Sequence, residues 1–505
     1  MEIAASDRLG FGAVFLSVAT RFVQGSVWMI GMRWAIRCAG LVSTVILARV
    51  LTPQDFGLVA MSSMVHGLLM ICSEMGVSQL LLRSGETDRQ AYDTAWTIGL
   101  IQAAVLALLM ALAAYPAALY FSEPRLVDVM QVVAAGSILN GLSNIGVVMF
   151  RRDLEFKKDF ILGFCAKVVT VIPTVALAVY LQSYWALVIG PIIGDVIGVA
   201  ISYAMHPFRP RLCLKDWRRF VAYSIWIAPS NIALFLTKKA DVFIVGYFAS
   251  TSQLGIYNVA SELSRMATAE VVTPISRAIF PNYAKLKDDL KALSAAFLLV
   301  MRTTCIIGFS FGFGIAAVAN DLVYLVLGDQ WGFAAALITW LGIGGAFVAI
   351  SIILSGHILI VRGQERMMLV MNLIKLMALG GVLLVAARSG DIVTIAIAGT
   401  VVLGVITLAC ALYLPRILPI SAVRLLREVL SNFFIGLIMF IVVRSLHLEQ
   451  IEWRVVRLLM DVGVGATVFV TLLGMEWNLA GRPDGPEKRI LNLIGIFLRR
   501  LAPRG

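Results

Sequence analysis

Arg33 and Arg37 stand four residues apart inside an apolar run of the chain. On a helix that spacing puts both on one face, which Gly40 continues. The planar fork of a guanidinium donates two parallel hydrogen bonds to phosphate oxygens, so a pair stacked along a helix suits a phosphorylated anion. Near the end of a span the same side chains reach lipid headgroups instead, and both readings are open. A second apolar stretch spaces Asn231, Lys238 and Asp241 along one stripe, and a third does the same with Asn258, Glu262 and Arg265. In the packing alternative, Lys238 pairs with Asp241 and Glu262 with Arg265. Lys239 lies about 100° round the helix from Lys238 and is set apart from that stripe.

Five carboxylates inside apolar runs are candidates for coupling to an ion, because an ionisable group in hydrocarbon is costly: Glu74, Asp195, Asp241, Glu262 and Glu270. Each has a bland alternative. Glu74 is near Arg83 and the membrane edge. Asp195 adjoins the Gly190, Gly194, Gly198 row, where it can serve as a buried acceptor. Glu270 lies off the Glu262 stripe. His66, which shares a face with Ser62 and Ser73, reads as a packing residue. Uncharged polar faces follow at Ser137, Asn140 and Asn144, and at Lys167, Thr170 and Thr174 beside Pro173. Amides and hydroxyls suit a hydroxyl-rich ligand, and they also join helices to one another. Gly308 and Gly312 repeat the small-residue spacing of close helix contact.

The elements that must hold these groups are membrane helices. The 505 residues are 60% hydrophobic and 14% charged, with mean hydropathy +0.90; soluble domains hold about 45–50% apolar and about 25% charged residues. We count about fourteen apolar runs of spanning length, at 26–48, 57–82, 93–118, 127–150, 160–180, 184–204, 220–247, 255–280, 293–319, 332–361, 367–387, 392–414, 428–446 and 456–478. The fold expected is therefore an all-α polytopic membrane protein. Net charge +12 and pI near 9.6 reflect Lys and Arg gathered in alternate loops, the positive-inside pattern, rather than nucleic-acid binding. That pattern places both termini in the cytoplasm. The last external loop, Arg444 to Arg457, reads as solvated and polar. Leu9 to Gln24 and Lys488 to Leu501 read as interfacial amphipathic helices. No cleavable signal is expected, because the run from Leu9 is short and broken by Arg21. The six cysteines form no CxxC, so neither a disulfide framework nor a metal site is expected.

The chain also contains one stretch twice. ILARVLTPQDFGLVAM at 46–61 matches IVGYFASTSQLGIYNV at 244–259, with Gly57 against Gly255 and, at the same offset of 198, Ser78 against Ser276. A shared offset in one helix-turn-helix context indicates duplicated halves. The organisation expected is an N-terminal segment 1–25, a six-helix bundle 26–205, a basic linker 206–219, a second six-helix bundle 220–414 in parallel repeat, two additional helices within 428–478 and a basic tail 479–505. Asn231 then matches Arg33, as two polar faces lining one central cavity would require.

ARVLTPQDFGLVAM at 48–61, SEMGVSQLLLR at 73–83, FRRDLEFKKDF at 150–160, ADVFIVGYFASTSQLGIYNVASELSRM at 240–266 and RGQERMMLVMNLIK at 362–375 carry a resemblance in this order. The chain resembles the polysaccharide and oligosaccharide flippase family, in the exporter superfamily that also holds multidrug antiporters and lipid II flippases. Coverage runs from about Trp28 to Leu414. The resemblance implies alternating-access export of a polyprenyl-pyrophosphate-linked oligosaccharide across the bacterial inner membrane, for exopolysaccharide, capsule or lipopolysaccharide synthesis. It implies no catalytic residue, no metal and no cofactor beyond coupling to H+ or Na+. The partners implied are the lipid-linked substrate, membrane lipids, a polysaccharide polymerase and other assembly proteins. Arg33, Arg37, Lys238 and Arg265 would then meet pyrophosphate, and Asn140, Asn144, Lys167, Asn231, Asp241, Asn258 and Glu262 the rest of the cargo. A multidrug cation antiporter is the first alternative, disfavoured by the cationic stripes. A membrane glycan polymerase or ligase is the second, disfavoured by the short external loops.

Overall fold

The computed structural model describes residues 35–73, 81, 88–153, 155–215, 217–355, 357–446, 453–479 and 481. Arg33, Glu74 and both amphipathic terminal segments lie outside these residues. Among the described residues there is no strand. The helices are α1 (35–50), α2 (Pro53–Ser73), α3 (Arg89–Phe121), α4 (Leu126–Gly141), α5 (Val148–Arg152), α6 (Phe156–Leu181), α7 (Trp185–Met205) and α8 (Trp217–Phe248). They continue as α9 (Thr251–Ala267), α10 (Ala269–Lys285), α11 (Leu290–Ala317), α12 (Ala319–Val326), α13 (Ala334–Ser355), α14 (His357–Val361), α15 (Glu365–Ala387), α16 (Ile392–Tyr413), α17 (Ala422–Ser445) and α18 (Arg454–Leu479).

Among the described residues the apolar runs of the sequence fall on helices, the run 127–150 being broken at 142–144, and the chain is an all-helical, multi-pass membrane protein. Ten helices among the described residues have the length and apolarity to cross a bilayer. The expected fourteen are not all reached on those criteria: α1 is described only from residue 35, α4, α9 and α10 have 16, 17 and 17 residues, and many side chains of α8 lie outside the described residues.

The chain divides into two compact units, Met1–Phe235 and Leu236–Gly505. Their local punctuation is the same. In the first, α1 ends at residue 50 and α2 starts at Pro53; in the second, α8 ends at Phe248 and α9 starts at Thr251, again 198 apart. Both starts are reciprocal caps. Thr52 N–H donates to Asp55 Oδ2 (2.9 Å) and Asp55 N–H to Thr52 Oγ1 (3.3 Å). Ser250 N–H donates to Gln253 Oε1 (3.0 Å) and Gln253 N–H to Ser250 Oγ (3.3 Å). These bonds satisfy the orphan donors of the first turn from within the turn itself. Helix neighbours repeat as well. In the first unit α2 packs on α3 and α4, α3 on α4, α4 on α7, and α6 on α7. In the second, α9 packs on α11 and α13, α11 on α13, α13 on α16, and α15 on α16.

Within the first unit, α6 meets α7 through small residues. Gly190 and Gly194 lie against Thr174 and Thr170, so close that a Cβ at either glycine would sit 2.5 Å or 2.7 Å from the threonine Cα. The glycine row is thus a backbone-to-backbone crossing. Residues 206–215, which follow α7, run in non-helical form along the start of α3. Arg211 N–H donates to Asp93 Oδ1 (2.9 Å), Cys213 N–H to Thr97 Oγ1 (2.9 Å), and Thr94 Oγ1 to the Lys215 carbonyl (2.8 Å). Asp93, Thr94 and Thr97 are all buried.

In the second unit the rings of Phe309, Phe313, Phe347 and Phe433 interlock α11, α13 and α17, with centroids 5.3–5.9 Å apart in the pairs Phe313–Phe433, Phe309–Phe347 and Phe347–Phe433. Leu425, Val429, Ile435 and Met439 of α17, and Phe469 and Leu473 of α18, belong to the same core.

Candidate functional site

In the first unit, Arg37 is half-buried on α1, and Gly40 follows it on the same face. Lys167 of α6 comes to that face: a Cβ at Gly40 would meet Lys167 Cε at 3.5 Å and Nζ at 3.7 Å. One turn on, Thr44 Oγ1 donates to the Gly40 carbonyl (3.0 Å). The missing side chain at Gly40 therefore admits an ammonium beside the arginine stripe, and the two cations form one patch suited to an anion. Thr170 and Thr174, grouped with Lys167 by spacing, turn the other way, onto α7. Their hydroxyls donate to the carbonyls of Ala166 (2.8 Å) and Thr170 (2.7 Å).

The other polar positions of this unit are dispersed. Asn140 is exposed at the end of α4. Asn144 is completely buried, and its amide is occupied by backbone: Nδ2 donates to the carbonyls of His206 (3.1 Å) and Phe208 (2.9 Å), and Oδ1 accepts from Gly146 N–H (2.9 Å). That is the geometry of a structural joint between the end of α4 and the segment after α7. Asp195 is half-buried on α7 beside Gly194, with no hydrogen bond or ion pair among the described residues. His66 is half-buried on α2, one turn past the buried Ser62.

In the second unit a charged cluster joins α8 and α9. The fully buried Tyr257 donates from Oη to Asp241 Oδ2 (3.1 Å). Arg265 Nη2 donates to Glu262 Oε2 (2.8 Å), the i,i+3 pair the spacing offered; the two side chains are 34% and 43% exposed. Lys239 is half-buried and within electrostatic range of Arg265, Asp241 and Glu262. Lys238 is exposed. The lysine set aside by the helical wheel is thus the one that reaches the cluster, because a four-carbon stem can cover 100° of helix surface. Two cations, two carboxylates and a phenol make this cluster balanced rather than cationic. Asn258 is half-buried one turn before Glu262, and Glu270 is half-buried beyond the break between α9 and α10. The side chain of Asn231 lies outside the described residues.

Several intramembrane charges escaped the reading of the sequence. Arg302 of α11 pairs with Glu428 of α17 (3.5 Å), both largely buried. Arg457 of α18 donates from Nε to Asp321 Oδ2 (2.7 Å) and from Nη2 to Oδ1. Arg454 stacks over Tyr324 with 4.4 Å to the ring centroid. The reading of residues 444–457 as solvated is corrected for Arg457, which is only 17% exposed because a buried carboxylate claims it. Lys375 Nζ donates to Ser351 Oγ (2.7 Å) between α15 and α13.

Residues 46–336 match the family described as polysaccharide biosynthesis protein. The chain belongs to that family. Among relatives, the succinoglycan biosynthesis transport protein ExoT of Rhizobium meliloti is 22% identical over 58% of this chain and 60% of its own length. The lipopolysaccharide biosynthesis protein WzxC of Escherichia coli is 21% identical over 63% of this chain and 65% of its own. The teichuronic acid biosynthesis protein TuaB of Bacillus subtilis is 20% identical over 90% and 96%. The chain thus spans about three fifths of the length of the first of these family relatives. Among solved structures, the lipid II flippase MurJ in an inward closed conformation shares the fold with TM-score 0.70 at 12% identity, over 90% of this chain and all of that one. An inward-facing multidrug resistance MATE transporter of the MOP superfamily follows with TM-score 0.57 at 13% identity, over 75% and 94%.

Proposed function

We propose that this member of the polysaccharide biosynthesis family is a flippase. It carries a polyprenyl-pyrophosphate-linked oligosaccharide across the bacterial inner membrane by alternating access, coupled to an ion gradient, and both its termini face the cytoplasm. The observation that carries the reading is the cationic patch of the first unit, Lys167 lodged at Gly40 beside Arg37. Cations held within spanning helices are costly and are kept where an anion needs them. Arg33 extends the same stripe in sequence. Within the second unit, the α8–α9 cluster holds Lys239 and Arg265 together with Asp241 and Glu262, carboxylates that can exchange a proton or sodium ion. The names of the relatives, given for succinoglycan, lipopolysaccharide and teichuronic acid synthesis, support a glycan cargo.

On this reading the chain does no covalent chemistry. It hands its cargo to a polysaccharide polymerase and other assembly proteins, and it works through the two bundles 26–205 and 220–414, with 428–478 added. The MATE-like fold also fits a multidrug cation antiporter; a pocket for cationic drugs, however, needs anionic or aromatic walls, and the first-unit patch is cationic. The test is glycan export in a deletion strain complemented with Arg37→Ala or Lys167→Ala, each shown to be folded and inserted. The expected outcome is lost export with unchanged drug susceptibility. Full export by both variants overturns the assignment of the patch, and a drug-sensitive deletion strain with intact glycan supports the antiporter.

A further inference from the structure

The segment over residues 206–215 is tied down on one side and bare on the other. Its inner side is held to α3 by the bonds from Asp93, Thr94 and Thr97, and by Lys215 Nζ, which donates to Gln90 Oε1 (2.9 Å). Its alternate residues face outward: Leu212 is 75% and Leu214 50% exposed, and Trp217, at the start of α8, is 46% exposed. Arg211 and Arg218 are exposed among them, and the Arg218 guanidinium lies 5.9 Å from the Trp217 ring centroid. From Arg209 to Arg219 the sequence carries five cations against one carboxylate, Asp216.

Two leucines and a tryptophan bared to water are unfavourable. Position settles what covers them. The segment begins where α7, a helix of spanning length, ends at Met205, and it stops where α8 begins. It therefore lies at the level of the headgroups, where tryptophan, leucine and basic side chains are each at home. We propose that residues 206–215, with Trp217 and Arg218, form a binding surface for anionic phospholipid headgroups, with Leu212 and Leu214 entering the acyl boundary. Arg211 and Arg218 supply the charge selectivity. The hydrogen bonds to α3 hold the backbone still, so the surface is preformed and does not pay for ordering on contact. The inference is independent of the cargo.

The full-length protein is reconstituted in phosphatidylcholine vesicles holding a minor fraction of brominated lipid, either phosphatidylglycerol or phosphatidylcholine. Bromine quenches nearby tryptophan, and subtraction of a Trp217→Phe variant isolates the Trp217 signal. The expected result is stronger quenching of Trp217 by brominated phosphatidylglycerol than by the same fraction of brominated phosphatidylcholine. Each cation near an anionic surface contributes about fivefold in affinity, so Arg211→Gln with Arg218→Gln should lower the preference by up to about thirtyfold. Neither change touches the backbone bond from residue 211 to Asp93, so thermal stability in detergent should be unaltered. Equal quenching by the two lipids in the unaltered protein overturns the proposal, as does a preference that survives the double variant. An unquenched Trp217, with a soluble protein lost from the membrane fraction in Leu212→Ser with Leu214→Ser, would overturn it in favour of a protein-docking surface.

Discussion

Replacing Gly190 by alanine should drive α6 and α7 apart. The added Cβ would lie 2.5 Å from Thr174 Cα and 2.7 Å from its Cβ, whereas carbons rest at about 3.5–4.0 Å. Relief therefore needs a displacement of about 1 Å, and because one of the crowded atoms is backbone, a side-chain rotation cannot supply it. Overpacking of this kind costs about 1–3 kcal/mol. Gly194→Ala meets Thr170 Cα at 2.7 Å and Cβ at 2.9 Å, and should behave alike. Gly198, third in the row, is an internal control: nothing lies within 4 Å of its added Cβ, and a helical glycine-to-alanine change gains about 0.5–1 kcal/mol. Midpoints of thermal unfolding in detergent, read by loss of the monodisperse peak, should fall for the first two and hold or rise for the third. Thr174→Ala in the Gly190→Ala background should restore little, since the crowded Cα and Cβ remain. An unchanged midpoint for Gly190→Ala, or full rescue by Thr174→Ala, would refute the backbone contact.

Breaking the Asp321–Arg457 pair by Asp321→Ala strands a buried guanidinium and should cost about 3–5 kcal/mol, with most of it recovered when Arg457→Met is added; unfolding midpoints of the single and double variants test this. Thr52→Ala and Ser250→Ala each remove the side-chain acceptor of a reciprocal cap and should cost about 1 kcal/mol, adding in the double variant because each cap bonds within its own turn. Asp391 caps α16 and lies outside the spans; the backbone N–H of Val393, followed by the Thr394 side chain and backbone, holds its carboxyl below the usual carboxylate range. A carboxyl lowered by folding stabilises the protein above its unfolded pKa of about 3.9 and loses that contribution as pH falls through the folded value. The acid limb of stability against pH should accordingly be shallower in Asp391→Asn.

What the sequence made legible was local. Apolar runs marked the helices, because hydrocarbon imposes its own length. The 198-residue offset was visible because the motif behind it, a cap satisfied within one turn, is written in four consecutive residues. The glycine row announced close packing, and Glu262 and Arg265 announced their pair, through helical spacing alone. The remainder depended on distant partners. Nothing near Lys167 points to Gly40, and nothing near Arg302 or Asp321 points to Glu428 or Arg457, each more than a hundred residues away. Asn144 looked like a ligand contact because its role is defined by carbonyls of residues 206 and 208, beyond the next three helices. Lys239 was passed over because a wheel of backbone angles ignores the reach of a flexible stem. Asp93, Thr94 and Thr97 were not singled out, because their partner is a length of backbone that follows α7.

The C-terminal helix pair has entered a contract that limits how short this protein can become. Ending the chain after α16 would strip Glu428 from Arg302 and Arg457 from Asp321, taking an ion-pair partner from one positive and one negative group in the interior. A descendant that sheds the pair must therefore neutralise both positions first, and one that keeps a charge at either should still carry the appended helices. Length and residue identity at two remote sites are consequently expected to change together, which makes Arg302 and Asp321 a written record of whether those helices were ever present.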